Sequence, residues 1–172
     1  MFAAVERPPL IVMMGVSGSG KSVVGEALAA ALGVPYADGD DLHPRANIEK
    51  MRAEIPLTDE DRLPWLDRCG GWLAEHEGSG GVLACSALRR SYRERIRTHA
   101  PAACFVELDV PEPVLRDRLL HRTGHFMPAS LLDSQLATLE PLGEDEPGVR
   151  VAVPADASID TTAALARARL AE

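Results

Sequence analysis

The sequence predicts an α/β domain in which helices flank a parallel central sheet of about five strands. Three observations carry this. Short, continuous apolar runs alternate with longer segments whose apolar residues recur at helical spacing. The first run, residues 10–14 (Leu-Ile-Val-Met-Met), shows no polar alternation, as expected of a strand buried on both faces. A glycine- and serine-rich turn joins that run to the first helical segment, giving a strand–turn–helix unit.

The elements follow in order. Residues 21–32 place Val24, Ala27, Leu28 and Ala31 at helical spacing, and Gly33 is a natural terminator. A short second strand at 34–37 leads into the acidic turn Asp38-Gly39-Asp40-Asp41. Pro44 opens a helix that runs to Arg52. Thr58, with Asp61 three residues on, marks the N-terminus of a helix that carries Trp65, Leu66, Trp72 and Leu73 and ends near Gly78. Gly70-Gly71 is a point at which that helix can break. Residues 82–85 form a third strand, 89–98 a polar helix and 103–110 a fourth strand. Pro111 starts a helix containing Leu115 and Leu119, and another helix spans 128–139. Residues 144–148 read as an exposed acidic loop, 149–153 as the last strand, and Asp160 as the cap of an alanine-rich terminal helix.

The 172 residues fit one domain, 1–172, with no internal repeat. The helix-rich stretch 42–77 is too small for its own core and is expected to elaborate a ligand site. A net charge of −8 argues against a nucleic-acid partner, which needs a basic face. It does not argue against nucleotides, whose phosphates are held locally. Cys69, Cys85 and Cys104 have no C-x-x-C spacing, so a reduced, cytoplasmic protein is expected, without disulfide or zinc. The N-terminus is not a signal peptide, and no apolar run approaches the roughly 20 residues of a membrane span.

Gly15-Val16-Ser17-Gly18-Ser19-Gly20-Lys21-Ser22 matches G-x-x-x-x-G-K-[ST] in full, after a strand and before a helix. Such a loop turns its backbone N–H groups and a helix N-terminus toward phosphate. Lys21 reaches the β- and γ-phosphates of ATP, and the Ser22 hydroxyl binds Mg²⁺. Lys21 is one of only two lysines in the chain. The bland alternative, a turn that only joins strand to helix, fits poorly with motif and context together. The guanine-specific N-K-x-D element is missing, because the one asparagine is Asn47. That leaves a compact kinase. The end of the third strand, Ala84-Cys85-Ser86-Ala87, lacks the metal-binding Asp many P-loop enzymes carry, so Asp38 and Asp40 become the acidic candidates. One would orient the metal and the other would accept the proton of an attacking hydroxyl. Solvated carboxylates of an Asx-type turn are the alternative.

Here the chain resembles the bacterial-type gluconate kinases. The resemblance runs from the P-loop through Asp38-Gly39-Asp40-Asp41-Leu42-His43-Pro44, Asn47-Ile48-Glu49-Lys50-Met51 and Pro56-Leu57-Thr58-Asp59. It continues in Asp61-Arg62, Pro64-Trp65-Leu66, Cys85-Ser86-Ala87-Leu88, Tyr92-Arg93 and Gly124-His125-Phe126. It implies the fold of nucleoside-monophosphate and shikimate kinases, transfer of the ATP γ-phosphoryl group to the 6-hydroxyl of D-gluconate, a Mg²⁺ requirement, and a cytoplasmic homodimer. Asp40 is then the candidate base, with Lys21 and Arg122 also catalytic. Ser22 and Asp38 are the metal candidates. His43, Arg45, Lys50, Arg89 and Arg90 join Asp38 and Asp40 as substrate candidates. Arg118 and Arg122, four apart on one helix, suggest a lid over 118–130, with Arg118 near adenine and Arg122 reaching the phosphates. A solvated basic face is the alternative for that pair, and a surface role for Arg45 and Lys50. A shikimate-like kinase and a nucleotide-binding module without turnover are the competing functions.

Overall fold

The computed structural model describes residues 7–121 and 129–172. Five strands form one parallel sheet in the order β2-β3-β1-β4-β5: β1 (Leu10–Met14), β2 (Tyr36–Asp38), β3 (Gly81–Ala84), β4 (Cys104–Asp109) and β5 (Gly148–Ala152). The described helices are α1 (Lys21–Leu32), α2 (Arg45–Arg52), α3 (Asp59–Glu75), α4 (Arg90–His99), α5 (Glu112–Leu120), α6 (Ala129–Thr138) and α7 (Ile159–Leu170). A 3₁₀ turn, Gly39–Leu42, follows β2.

The uninterrupted apolar run of β1 has a direct structural reason. Ile11 and Met13 join a core with α1, α5 and α7, whereas Leu10, Val12 and Met14 join a second core on the other face with Trp65, Leu66, Leu73 and Ile96 of α3 and α4. Because β1 lies between β3 and β4, the chain reverses its winding direction there. The crevice at the carboxyl end of β1 is therefore the ligand-binding switch point of such a sheet.

Helix α3 does not break at Gly70-Gly71. A Cβ on Gly70 would stand 2.8 Å from the His99 Cβ and 2.9 Å from the Ile96 carbonyl oxygen, so the glycine lets α3 press against α4. Its N-terminus is a capping box formed by Thr58 and Asp61, as the sequence suggests. The terminal helix is capped by Ser158, whose hydroxyl accepts from the Thr161 N–H, and Asp160 lies inside its first turn.

The acidic loop 144–148 is not simply exposed. Glu146 accepts two hydrogen bonds from the fully buried Arg93 guanidinium, at 2.6 and 2.8 Å. Arg93 also donates to the Ala87 carbonyl at 2.9 Å. Ala87 sits at φ +43°, an uncommon conformation for a side-chain-bearing residue, next to Ser86, whose carbonyl accepts the Gly15 N–H. The buried ion pair thus braces the turn that abuts the start of the P-loop. Glu146→Ala leaves the guanidinium buried and unpaired, and it should lower unfolding free energy by about 3–5 kcal/mol in urea titration. A loss under about 1 kcal/mol would show the pair to be dispensable. Arg93 holds the Glu146 carboxyl below its ordinary 4.5, so this stabilisation is complete above that value and fades as pH falls through the lowered one.

Candidate active site

The P-loop follows β1 and ends as the first turn of α1. Gly18 and Gly20 adopt φ +84° and +89°, which glycine takes without steric cost. The loop borders a cavity of about 460 Å³ whose walls include Lys21, Ser22, Asp40 and Arg118. Val153, Ala157 and Ile159, at the β5–α7 connection, give it an apolar lining.

On the β2 side, the Ser22 hydroxyl donates to Asp38 Oδ2 at 3.0 Å, and the Asp40 N–H donates to Asp38 Oδ1 at 3.0 Å. Asp38 is thereby fixed between P-loop and 3₁₀ turn. Burial, with the neighbouring Asp38 charge, pushes the Tyr36 phenol up to about 12. The glycine in Asp-Gly-Asp has a steric cause: a Cβ on Gly39 would stand 2.6 Å from the Ala84 carbonyl oxygen. The turn therefore lies flat against the end of β3 and presents Asp40 to the cavity.

His43 is buried and stacks on Trp65 with ring centroids 4.3 Å apart and planes 12° from parallel. The Trp65 indole N–H donates to the Gly39 carbonyl at 2.7 Å, tying α3 to the acidic turn. Asn47 Nδ2 lies 3.3 Å from His43 Nδ1 and donates to the Asp61 carbonyl at 2.9 Å. Burial lowers the His43 pKa, so a neutral imidazole stands there, suited to hydrogen bonding more than to charge.

The structure brings Gly15 to Ser22, Asp38, Asp40 and Arg118 into one site. It gives the other sequence candidates different surroundings. Arg45 is exposed and pairs with Glu49 at 3.2 Å. Lys50 pairs with Asp61 at 2.7 Å. Arg90 makes two bonds to Asp145, at 3.0 and 2.6 Å, and a third to Glu94. Arg89 lies 3.5 Å from Asp59 and over the Tyr92 ring. Arg118 donates to the P-loop carbonyls of Gly18 and Ser19, at 3.0 and 3.4 Å. Arg122 and Gly124 to Phe126 lie outside the described residues.

One contact to the P-loop and one stacked arginine escaped the sequence reading. Gln135 of α6 accepts the Ser17 N–H at 2.7 Å and donates to the Ser17 hydroxyl at 3.0 Å, clasping the P-loop from 118 positions away. It is the chain's one glutamine, as Asn47 is its one asparagine, and that scarcity was the available signal. Arg62 stands 5.6 Å over the Tyr92 ring.

Oxygen donors 3.0 Å apart at Ser22 and Asp38 suit Mg²⁺, which takes one or two protein ligands and completes its shell with phosphate and water. Among the described residues there is no cluster of three or more His, Cys, Asp or Glu that could hold a metal ion.

A family model described as AAA domain matches residues 10–142. The gluconokinase of Gluconobacter oxydans (strain 621H) is 55% identical over 147 residues, covering 84% of this chain and 83% of that protein. The thermosensitive gluconokinase of Escherichia coli (strain K12) is 43% identical over 143 residues, covering 81% of this chain and 76% of that protein. The crystal structure of a gluconokinase from Sinorhizobium meliloti 1021 superposes with a TM-score of 0.80 at 54% identity, covering 96% of this chain and 95% of that one. With a complete P-loop at the sheet's switch point and relatives this close along most of its length, the chain belongs to the gluconokinase family of P-loop kinases.

Proposed function

We propose that this protein transfers the γ-phosphoryl group of ATP to the 6-hydroxyl of D-gluconate, giving 6-phospho-D-gluconate and ADP. The observation that carries the reading is that Asp40 shares a cavity wall with Lys21 and Ser22. A phosphoryl donor and a hydroxyl acceptor then meet beside a base.

The apolar wall of Val153, Ala157 and Ile159 takes the adenine, and Arg118 packs at its edge. The P-loop N–H groups and Lys21 hold the phosphates. Ser22 and Asp38 would hold Mg²⁺, which would offset the negative charge of the phosphates. The 6-hydroxyl oxygen bonds to the γ-phosphorus, the bond from that phosphorus to the ADP oxygen breaks, and the hydroxyl proton passes to Asp40. His43 binds a substrate hydroxyl. Residues 42–77 form the substrate side of the site; the lid expected over 118–130 lies largely outside the described residues, at 122–128. Buried, unpaired Cys69 and Cys85 suit a reducing, cytoplasmic setting. No helix among the described residues is long and apolar enough to cross a membrane. A homodimer rests on the family resemblance.

An ADP-release assay at saturating Mg·ATP with D-gluconate, D-glucose and shikimate tests the reading. Gluconate should exceed the others in kcat/KM by about 10³-fold or more, because neutral glucose leaves the site's cation unpaired and shikimate, though an acid, is a compact ring that does not span from that cation to the base. Equal values for gluconate and glucose, a preference for shikimate, or no ADP release with any acceptor would each refute it.

A further inference from the structure

The acceptor acid needs a cation, and the ion pairs already described occupy most of those near the site. Arg45, Lys50 and Arg90 each have a carboxylate of their own within 3.2 Å. Arg62 and Arg89 differ, since among the described residues they share one carboxylate, Asp59, at the long distances of 3.6 and 3.5 Å. Asp59 is further engaged by the Tyr92 hydroxyl, which donates to Oδ1 at 2.5 Å. Both guanidinium groups also lie over the Tyr92 ring, at 5.6 and 6.0 Å from its centroid. Two cations against one carboxylate leave a local surplus of one positive charge, stacked on an aromatic face and held in place.

The fold puts that surplus at the correct edge of the sheet. In a parallel sheet the helix leading into a strand starts at the carboxyl edge, and so does the helix leaving that strand. Arg62 lies in the first turns of α3, which enters β3, and Arg89 immediately precedes α4, which leaves it. Both therefore stand at the edge that carries the P-loop and the Asp38–Asp40 turn. One turn along α3 from Arg62, Trp65 stacks on His43 and bonds the Gly39 carbonyl, so this helix face is docked on the acidic turn. The charges of Asp40 and Arg62 both reach His43, with opposite effect on its pKa.

Building on the gluconate-kinase reading, we infer that Arg62, with Arg89 beside it on the Tyr92 ring, is the carboxylate-binding and specificity-determining pair of the acceptor site. The acid then lies with its reacting hydroxyl at Asp40, its polyol chain along His43 and its carboxylate on Arg62. Arg62 also donates to the Leu57 carbonyl at 2.9 Å, so the test must separate recognition from bracing.

The test compares D-gluconate with D-glucitol, in which a neutral CH₂OH replaces the carboxylate, by kcat/KM at saturating Mg·ATP. Wild type should prefer gluconate strongly. Arg62→Ala should lower gluconate kcat/KM by about 10²-fold, mostly through KM, while glucitol changes by no more than about threefold, so the preference collapses. Arg62→Lys should recover part of it, keeping charge but losing the planar fork. Should Arg62→Ala melt below the assay temperature, Arg62→Lys and Arg89→Ala carry the same comparison, each expected to narrow the preference. An equal fall for both substrates would reduce Arg62 to a brace, and an unchanged preference would overturn the inference while leaving the gluconate reading intact. Failure of wild type to use gluconate would sink that reading, and with it the inference, before any variant is made.

Discussion

Lys21→Ala should lower kcat by about 10³-fold or more, the scale of removing a preorganised charge from a phosphoryl-transfer site. The stability of the variant is the informative control. Lys21 is the first residue of α1, where the helix dipole is positive and a cation is unfavourable. Alanine is the better helix former. Lys21→Ala should therefore melt within about 2 °C of wild type or slightly above it. Lys21→Arg retains the charge but replaces a compact ammonium with a planar fork, so it should remain severely impaired. Turnover with gluconate and a thermal melt, run side by side, decide the matter. Near-normal turnover in a folded Lys21→Ala protein would remove the P-loop lysine from the mechanism.

The P-loop was legible because its chemistry is written in the backbone. Left-handed positions at Gly18 and Gly20, and a helix N-terminus at Lys21, demand particular residues at fixed spacing. The acidic turn was legible for a related reason, since Gly39 is forced by its approach to β3 and the two aspartates flank it. The order of strands and helices followed from hydrophobic periodicity, which for β1 reflects burial against two separate cores.

What stayed hidden depends on contacts distant in sequence. Nothing local distinguishes Glu146 from its acidic neighbours, yet it alone of the loop faces buried Arg93, 53 positions away. Gly70 looked like a helix breaker because helix propensity is a local quantity, whereas its fit against His99 is tertiary. The arginines were ambiguous for the same reason. Helical spacing put Arg45 and Lys50 forward, and the family resemblance Arg89 and Arg90, but only the fold shows which carboxylates are already at hand. Arg62 was passed over because its motif, Asp61-Arg62, reads as an ordinary first-turn charge pattern until Tyr92 and Arg89 are brought beside it.

Asp40→Asn should lower kcat by about 10²-fold or more while leaving ADP affinity unchanged. The division of labour between the two aspartates follows from their bonds. Asp38 has both oxygens engaged, Oδ2 by the Ser22 hydroxyl and Oδ1 by the Asp40 N–H, so it ties the P-loop to the acidic turn. Asp40 gives its N–H to that arrangement and turns an exposed carboxylate to the cavity shared with Lys21. Asparagine is nearly isosteric and keeps the backbone bond, but it cannot take the proton released as the new O–P bond forms. Phosphoryl transfer with a loose transition state needs little base assistance until late, which puts the expected loss nearer 10²-fold than 10⁴-fold. Asp38→Asn should behave differently, raising the Mg²⁺ concentration needed for half-maximal rate, whereas Asp40→Asn should leave that concentration unchanged. The carboxylate at Asp40 also raises the His43 pKa, so Asp40→Asn should move the His43 titration downward, a shift visible by NMR even if activity is lost. A nearly active Asp40→Asn beside a dead Asp38→Asn would reverse the two roles.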